Sequence, residues 1–235
     1  MKEKKNKRVL KGILIGLGVA AVTINIAIIV FIYYFFTGGP AHIIKDAGLY
    51  EETMHRYTNE VVGKVHTGFF TFPKTIPDSA FANGSQPEFY FWYRDTLDDP
   101  TCEVYLRCTY SDVDYAREID RLKNSEFQLG NDETKVVNRL EYEEGDRFTH
   151  PVYKAIDCYN HSYEYAMDLG NNEIAYICTS FKNNLLSLKK IPKECLPNDY
   201  TDSLMNNTYA NGGFNVYVTK KTDEYTLYDY GDKFN

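Results

Sequence analysis

From Gly12 to Phe36 the chain runs 25 residues without a charge, and only Thr23 and Asn25 interrupt a series rich in Ile, Val and Ala. At about 1.5 Å per residue a helix of that length reaches roughly 37 Å, enough to cross a hydrocarbon core of about 30 Å with some tilt. A core helix of a soluble protein would carry a polar stripe, which two polar residues do not make. The segment also exceeds the roughly 7–15 apolar residues at the heart of a cleavable signal peptide, and Thr37-Gly38-Gly39-Pro40-Ala41 is a weak cleavage site. No cysteine stands at the exit to take a lipid. The expectation is an uncleaved signal anchor whose first partner is the lipid bilayer, through residues 12–36.

Charge orients that anchor. Residues 1–11 hold Lys2, Lys4, Lys5, Lys7, Arg8 and Lys11 against Glu3 alone, a net of +5 inside a chain whose total is −7. Basic residues beside a first transmembrane helix stay in the cytoplasm. The N-terminus is therefore expected inside and residues 38–235 outside, at the plasma membrane, crossing it once. Tyr33, Tyr34, Phe35 and Phe36 then fall at the outer interface, where aromatic rings are favoured. The remaining 224 residues carry −12. An acidic outer segment is a poor ligand for nucleic acid, whose affinity comes mainly from Lys and Arg on phosphates. The negative mean hydropathy argues against a polytopic membrane protein.

Beyond the Gly38-Gly39-Pro40 break, Ile43, Ala47, Tyr50, Met54, Tyr57 and Val61 recur at steps of four and three. That spacing predicts an amphipathic stalk helix over 40–64. Two anchored copies could form a homodimer through it as a coiled coil of about three heptads. The alternative, favoured by Ala and Tyr at the seam, packs the stripe on the chain's own outer domain.

From residue 65 to 235 short β-rich runs separated by Gly, Pro, Asn and Asp predict one α+β domain dominated by antiparallel sheet with one main helix. The runs are Val65–Phe72, Phe89–Tyr93, Cys102–Tyr110 and 136–142. A meander of Val152–Tyr159, Tyr163–Leu169 and Ile174–Phe181 follows, and a last hairpin of Phe214–Thr219 and Tyr225–Tyr230 closes the chain. Aromatics on both faces of Phe89–Tyr93 suit a strand covered on both sides. In Cys102–Tyr110 the alternation predicts one apolar and one mostly polar face. Ser111, with Asp114 three residues on, reads as the N-cap of a helix ending near Asn124. Pro192 opens a short helix.

The chemistry-bearing residues are dispersed. Cys102, Cys108, Cys158, Cys178 and Cys195 are odd in number, show no C-x-x-C spacing and read as core filler. Asp95, Asp98, Asp99 and Glu103 cluster near a turn and are weak candidates for Ca²⁺, without the spacing of a known calcium loop. Glu141, Glu143, Glu144 and Asp146 read as a solvated loop. His42 with Asp46, and Glu51 with His55, decorate the stalk, and His150 and His161 lie too far apart to share a site. No Ser-His-Asp, H-E-x-x-H or phosphate-loop pattern occurs, so no catalytic residue and no cofactor is assigned. The 21 tyrosines stand out. Tyr90, Trp92 and Tyr105 form the candidate aromatic patch for an envelope protein or glycan partner.

Phe72-Pro73-Lys74-Thr75-Ile76-Pro77 with Ala80, Tyr93-Arg94-Asp95-Thr96-Leu97 and Cys102-Glu103-Val104-Tyr105-Leu106 resemble stretches of uncharacterised single-pass, signal-anchored extracytoplasmic proteins of Gram-positive bacteria. The resemblance covers about residues 66–200 and implies a bacterial surface location, with no catalytic residues attached. Together these readings lead to a cell-envelope binding or scaffolding module. The alternative is an envelope hydrolase acting on glycan or peptide through dispersed carboxylates.

Overall fold

The computed structural model describes residues 2–37, 40–60, 69–82, 86–94, 101–129, 136–159, 162–180, 190–198 and 215–216. Helix α1 (Lys2–Thr37) is a single continuous helix. Its stretch Lys11–Phe35 is long and apolar enough to cross a membrane, and none of it is buried against the rest of the chain. Thr23 and Asn25, the two polar interruptions, return their side-chain donors to the carbonyls of Val19 and Ala21, so neither leaves an unsatisfied group on the helix surface. The rings of Tyr33 and Tyr34 meet edge-on at 5.8 Å, and Phe31 lies 5.8 Å from Phe35. The Phe36 side chain, and those of Lys2, Lys4, Lys5, Lys7 and Arg8, lie outside the described residues; Lys11 is exposed.

The α+β expectation holds: an antiparallel sheet carries the rest. It contains β1 (His42–Ile44), β2 (Glu88–Arg94), β3 (Thr101–Thr109), β6 (Glu141–Glu143), β7 (Val152–Tyr159), β8 (Ser162–Gly170), β9 (Glu173–Ser180) and β10 (Asn215–Val216). Their order is β1-β2-β3-β9-β8-β7-β10, with β6 also on β7. The expected meander is present as β7-β8-β9, turned between β8 and β9 by Gly170, Asn171 and Asn172, all at positive φ, a conformation that Gly and Asn tolerate best. Two further strands, β4 (Glu126–Leu129) and β5 (Val136–Arg139), pair apart from the main sheet. The single expected strand 136–142 is thus divided between β5 and β6.

Residues 40–64 depart from the stalk. His42, Ile43 and Ile44 form β1, registered opposite Tyr93, Trp92 and Phe91 at the sheet edge. Asp46 then caps a 3-10 turn by accepting the Gly48 N–H at 2.9 Å, and among the described residues 40–60 the α-helix is Tyr50–Glu60, α2; Val61, the last of the expected stripe, lies outside the described residues. The stripe Tyr50, Met54 and Tyr57 is buried in the domain's own core, the alternative that Ala and Tyr at the seam favoured. Tyr50 stacks edge-on to Phe89 at 5.2 Å, and Tyr57 meets Phe91 at 4.6 Å and Tyr93 at 4.8 Å. Helical spacing misled at its first position: Ile43 is exposed and pairs as a strand residue. His42 and Asp46 consequently share no helix face.

Both faces of the sheet are covered. On the first, Phe89, Phe91, Tyr93, Cys102, Val104, Leu106, Cys108, Tyr176 and Cys178 pack beneath α2, the segment 69–80 and helix α3 (Asp112–Asn124). On the second, Tyr105, Val152, Tyr163, Tyr165, Met167 and Ile177 pack with Phe148, Ile191 and Cys195. The face of β3 expected to be polar is therefore interior as well, with Glu103 buried and Arg107 paired to Glu173 at 2.7 Å. Helix α3 begins as expected: the Ser111 hydroxyl accepts the Asp114 N–H at 3.2 Å, and acids in the first turn oppose Arg121 and Lys123 in the last, matching the helix dipole. Pro192 precedes the 3-10 turn Lys193–Cys195. Residues 61–68, and with them the first half of the expected strand Val65–Phe72, lie outside the described residues, and 69–72 form a turn, not a strand, entered through Phe69 at φ 50°. Of the last hairpin only Asn215–Val216 is described, paired with Asp157 and Ile156; Tyr225–Tyr230 lies outside the described residues.

Candidate functional site

A cleft of about 1040 Å³ lies between the first half of α2, the segment 69–77 and α3. Glu51, Met54 and His55 form one wall; Asp114, Arg117, Glu118 and Arg121 form the other; Phe69, Phe72 and Tyr110 contribute apolar surface. The segment between the helices is pinned from both sides. The Tyr50 hydroxyl donates to the Pro73 carbonyl at 2.5 Å, and Arg121 Nη2 donates to the Thr71 carbonyl at 2.6 Å.

A continuous polar chain runs beneath the cleft. Glu118 Oε2 accepts Arg121 Nε at 2.8 Å, and Glu118 Oε1 accepts both Arg121 Nη2 and the Tyr176 hydroxyl at 2.6 Å. Tyr176 and Tyr110 join hydroxyls at 2.7 Å. At the other end the Thr71 N–H and hydroxyl both donate to Glu164 Oε1, at 2.7 and 3.2 Å. Glu164 Oε2 is buried and makes no hydrogen bond among the described residues. Burial pushes the Glu164 carboxyl up to about 7, against the Thr71 donors, the Phe70 amide and Arg121. Burial likewise raises Tyr110 and Tyr176, and raises Cys108 to about 12.

The two carboxylates of the α3 wall, Asp114 and Glu118, are held by donors. Asp114 accepts Ser79 at 2.5 Å, Ser111 at 2.9 Å and Arg117 at 2.9 Å, and the Ser79 bond leads in holding its pKa below the usual range. Glu118 is engaged by three donors. A general acid needs a raised pKa together with access to the reacting atom. Glu164 has the first and is fully buried, whereas Asp114 and Glu118 line the cleft but are held by donors. His55, Lys74 and Arg117 line the same cleft as Glu51 and Glu126, so its rim carries charges of both signs.

The residues singled out in the sequence lie elsewhere. Tyr90 and Tyr105 are cross-strand partners, and Trp92 opposes Glu103, so the register places all three on the second face of the sheet. They are not an exposed patch: Trp92 is 9% and Tyr105 3% exposed, and Tyr90 is half-buried, because Ile191, Cys195 and Phe148 share that cluster. Arg94 stacks over the Trp92 ring at 5.5 Å. Glu103 accepts the Lys190 N–H at 3.0 Å, a structural use of the carboxylate. Its proposed companions Asp95, Asp98 and Asp99 lie outside the described residues, and no group of His, Cys, Asp and Glu suited to a metal occurs among those described. Glu141 and Glu143 are more than a solvated loop, since both flank the buried ammonium of Lys154, Glu143 in direct contact and Glu141 at 3.6 Å. Cys102, Cys108, Cys178 and Cys195 are buried and unbridged, as core filler should be.

Sequence reading missed the polar chain altogether. Glu118 and Arg121 look like an ordinary i,i+3 surface pair beside the apolar stripe of Tyr115, Ile119 and Leu122. Only tertiary packing shows that Tyr176 and Thr71 complete it. Glu164 gave one signal, a carboxylate within the alternating apolar run Tyr163–Met167. No family model matches the chain, and neither a curated protein nor a solved structure is similar to it.

Proposed function

We propose that the protein is a single-pass, signal-anchored envelope protein, its N-terminus cytoplasmic and its α+β domain extracytoplasmic, that acts as a binding or scaffolding module through the α2–α3 cleft. The observation that carries this reading is the helix Lys11–Phe35, long and apolar enough to cross a membrane and unburied, joined to a domain that has a core of its own. An apolar surface of that size has no place in water. The basic flank at residues 2–11 supports the inward orientation. The cleft supports binding: it has an aromatic floor and mixed charge at the rim, and donors occupy Asp114 and Glu118 on its α3 wall.

Two measurements test it. In whole cells of a Gram-positive host, Val113→Cys of the full chain should react with a membrane-impermeant maleimide before lysis, and the chain should resist carbonate extraction. Reaction only after lysis would overturn the orientation, and loss to the wash would overturn the anchor. Titration of the detergent-solubilised chain with envelope glycan and peptide fragments should show saturable binding that Arg117→Ala weakens about tenfold, or ~1.4 kcal/mol. Binding indifferent to Arg117 would remove the cleft from the proposal.

A further inference from the structure

Tether length bounds how far the first strand of the domain can lie from the bilayer. Helix α1 ends at Thr37, and His42 is already paired with Tyr93. Five peptide steps span at most about 17 Å, and the two helical residues beyond Phe35 add about 3 Å. The sheet therefore begins within about 20 Å of the hydrocarbon edge, of which the headgroup layer fills roughly 5–8 Å.

His42, Tyr93 and Cys102 stand side by side in the register, and Cys102 continues to Ser180. They define one end of the sheet, and the connections β2-to-β3 and β9-onward leave from it. β3 runs from this end to Thr109, where it meets Glu173 next to the Asn171–Asn172 turn and the start of α3. Seven strand steps separate Cys102 from Thr109, about 24 Å. The corner nearest the tether exposes Ile43, at 54%, with His42 and Lys45 exposed beside it and the half-buried Arg94 on the adjoining strand end. An unburied β-branched residue on an edge strand, with Lys45 and Arg94 near it, suits a surface of apolar chains under phosphates.

We propose that the corner formed by His42, Ile43 and Lys45 is seated in the headgroup layer of the bilayer that α1 crosses, so that the Val113 end of the sheet lies farther from the membrane. The proposal rests on the anchored reading above. A domain seated this way presents its cleft at a fixed height and not on a free tether.

The test uses the full chain in phosphatidylcholine vesicles containing lipid with a nitroxide on the headgroup. Ile43→Trp and Val113→Trp report beside the native Trp92, which is the one tryptophan of the chain. Both positions are exposed, so folding should tolerate either change; matching circular dichroism spectra confirm it. The added emission of Ile43→Trp should fall by at least half, and that of Val113→Trp should stay within error. Equal quenching at both sites, or none at residue 43 while the protein still floats with the vesicles, overturns the seat and leaves the anchor standing. Failure to float overturns both. Shielding of residue 43 in detergent, together with a doubled mass, would place a second copy at the corner and overturn the lipid assignment.

Discussion

Burial makes Glu164 costly to keep charged. Its carboxyl lies on β8 opposite Cys178 of β9, takes two donors from Thr71 on one oxygen and none on the other, and feels Arg121 across the cleft wall. Its pKa is about 7 in the fold against 4.5 ordinarily, so the folded state binds the proton more tightly than the unfolded chain does. The resulting stability is fully present below about pH 4.5 and is lost as pH rises through 7. Glu164→Gln keeps an acceptor for Thr71 and removes the titration. The wild-type domain should lose about 3 kcal/mol relative to this variant between about pH 5 and pH 8, as an upper bound for one buried carboxyl. Chemical denaturation of both proteins across that range checks it, and parallel pH curves would show that Glu164 stays ionised throughout. Arg121 makes a second prediction at this scale. Its fork grips Glu118 through two nitrogens while one of them also holds the Thr71 carbonyl, and a lysine has no such geometry. Arg121→Lys should cost about 1–3 kcal/mol, and hydrogen exchange should quicken across 69–73.

At the scale of elements, what was legible depended on whether the signal was local. Helix α3 was readable to within a residue because its cap, Ser111 bonded to the Asp114 N–H, is made by neighbours in sequence. The meander β7-β8-β9 was readable because short polar links between β-rich runs leave antiparallel pairing as the economical solution. The polar face of β3 was misread because the cover over Glu103 and Tyr105 comes from residues 148 and 190–195, far along the chain. For the same reason the aromatic patch failed: period two separates the faces of a strand and says nothing of what lies upon each. The candidate cleft was invisible, since its walls come from α2, 69–77 and α3 and its floor from Tyr110 backed by Tyr176. Ser111→Ala should lower stability by about 1 kcal/mol, measurable by thermal melting, because the orphaned Asp114 N–H loses its acceptor and Asp114 loses a donor.

For the whole molecule, the decisive question is where the membrane tether ends and the folded unit begins. A stripe at helical spacing directly after a transmembrane helix reads equally as a stalk or as the first layer of the domain, and the two make opposite predictions about deletion. A stalk can be removed without unfolding what it supports. Here β1 completes the sheet edge, and Tyr50, Met54 and Tyr57 are interior residues that contact Phe89, Phe91 and Tyr93. Losing large buried side chains costs about 2–5 kcal/mol each, and three of them approach the whole stability of a domain, about 5–15 kcal/mol. The Tyr50 hydroxyl also holds the Pro73 carbonyl, so the segment that lines the cleft would lose a restraint at the same time. The fragment 40–235 should therefore unfold cooperatively and sediment as a monomer, because the seam that would pair two stalks is already occupied within one chain. The fragment 65–235 should be largely unfolded or aggregated, with native strand signal and cooperativity absent from circular dichroism melts. A well-folded 65–235 would return residues 40–64 to the role of a stalk, and a stable dimer of 40–235 that dissociates on Tyr50→Ala, with its fold intact, would do so as well.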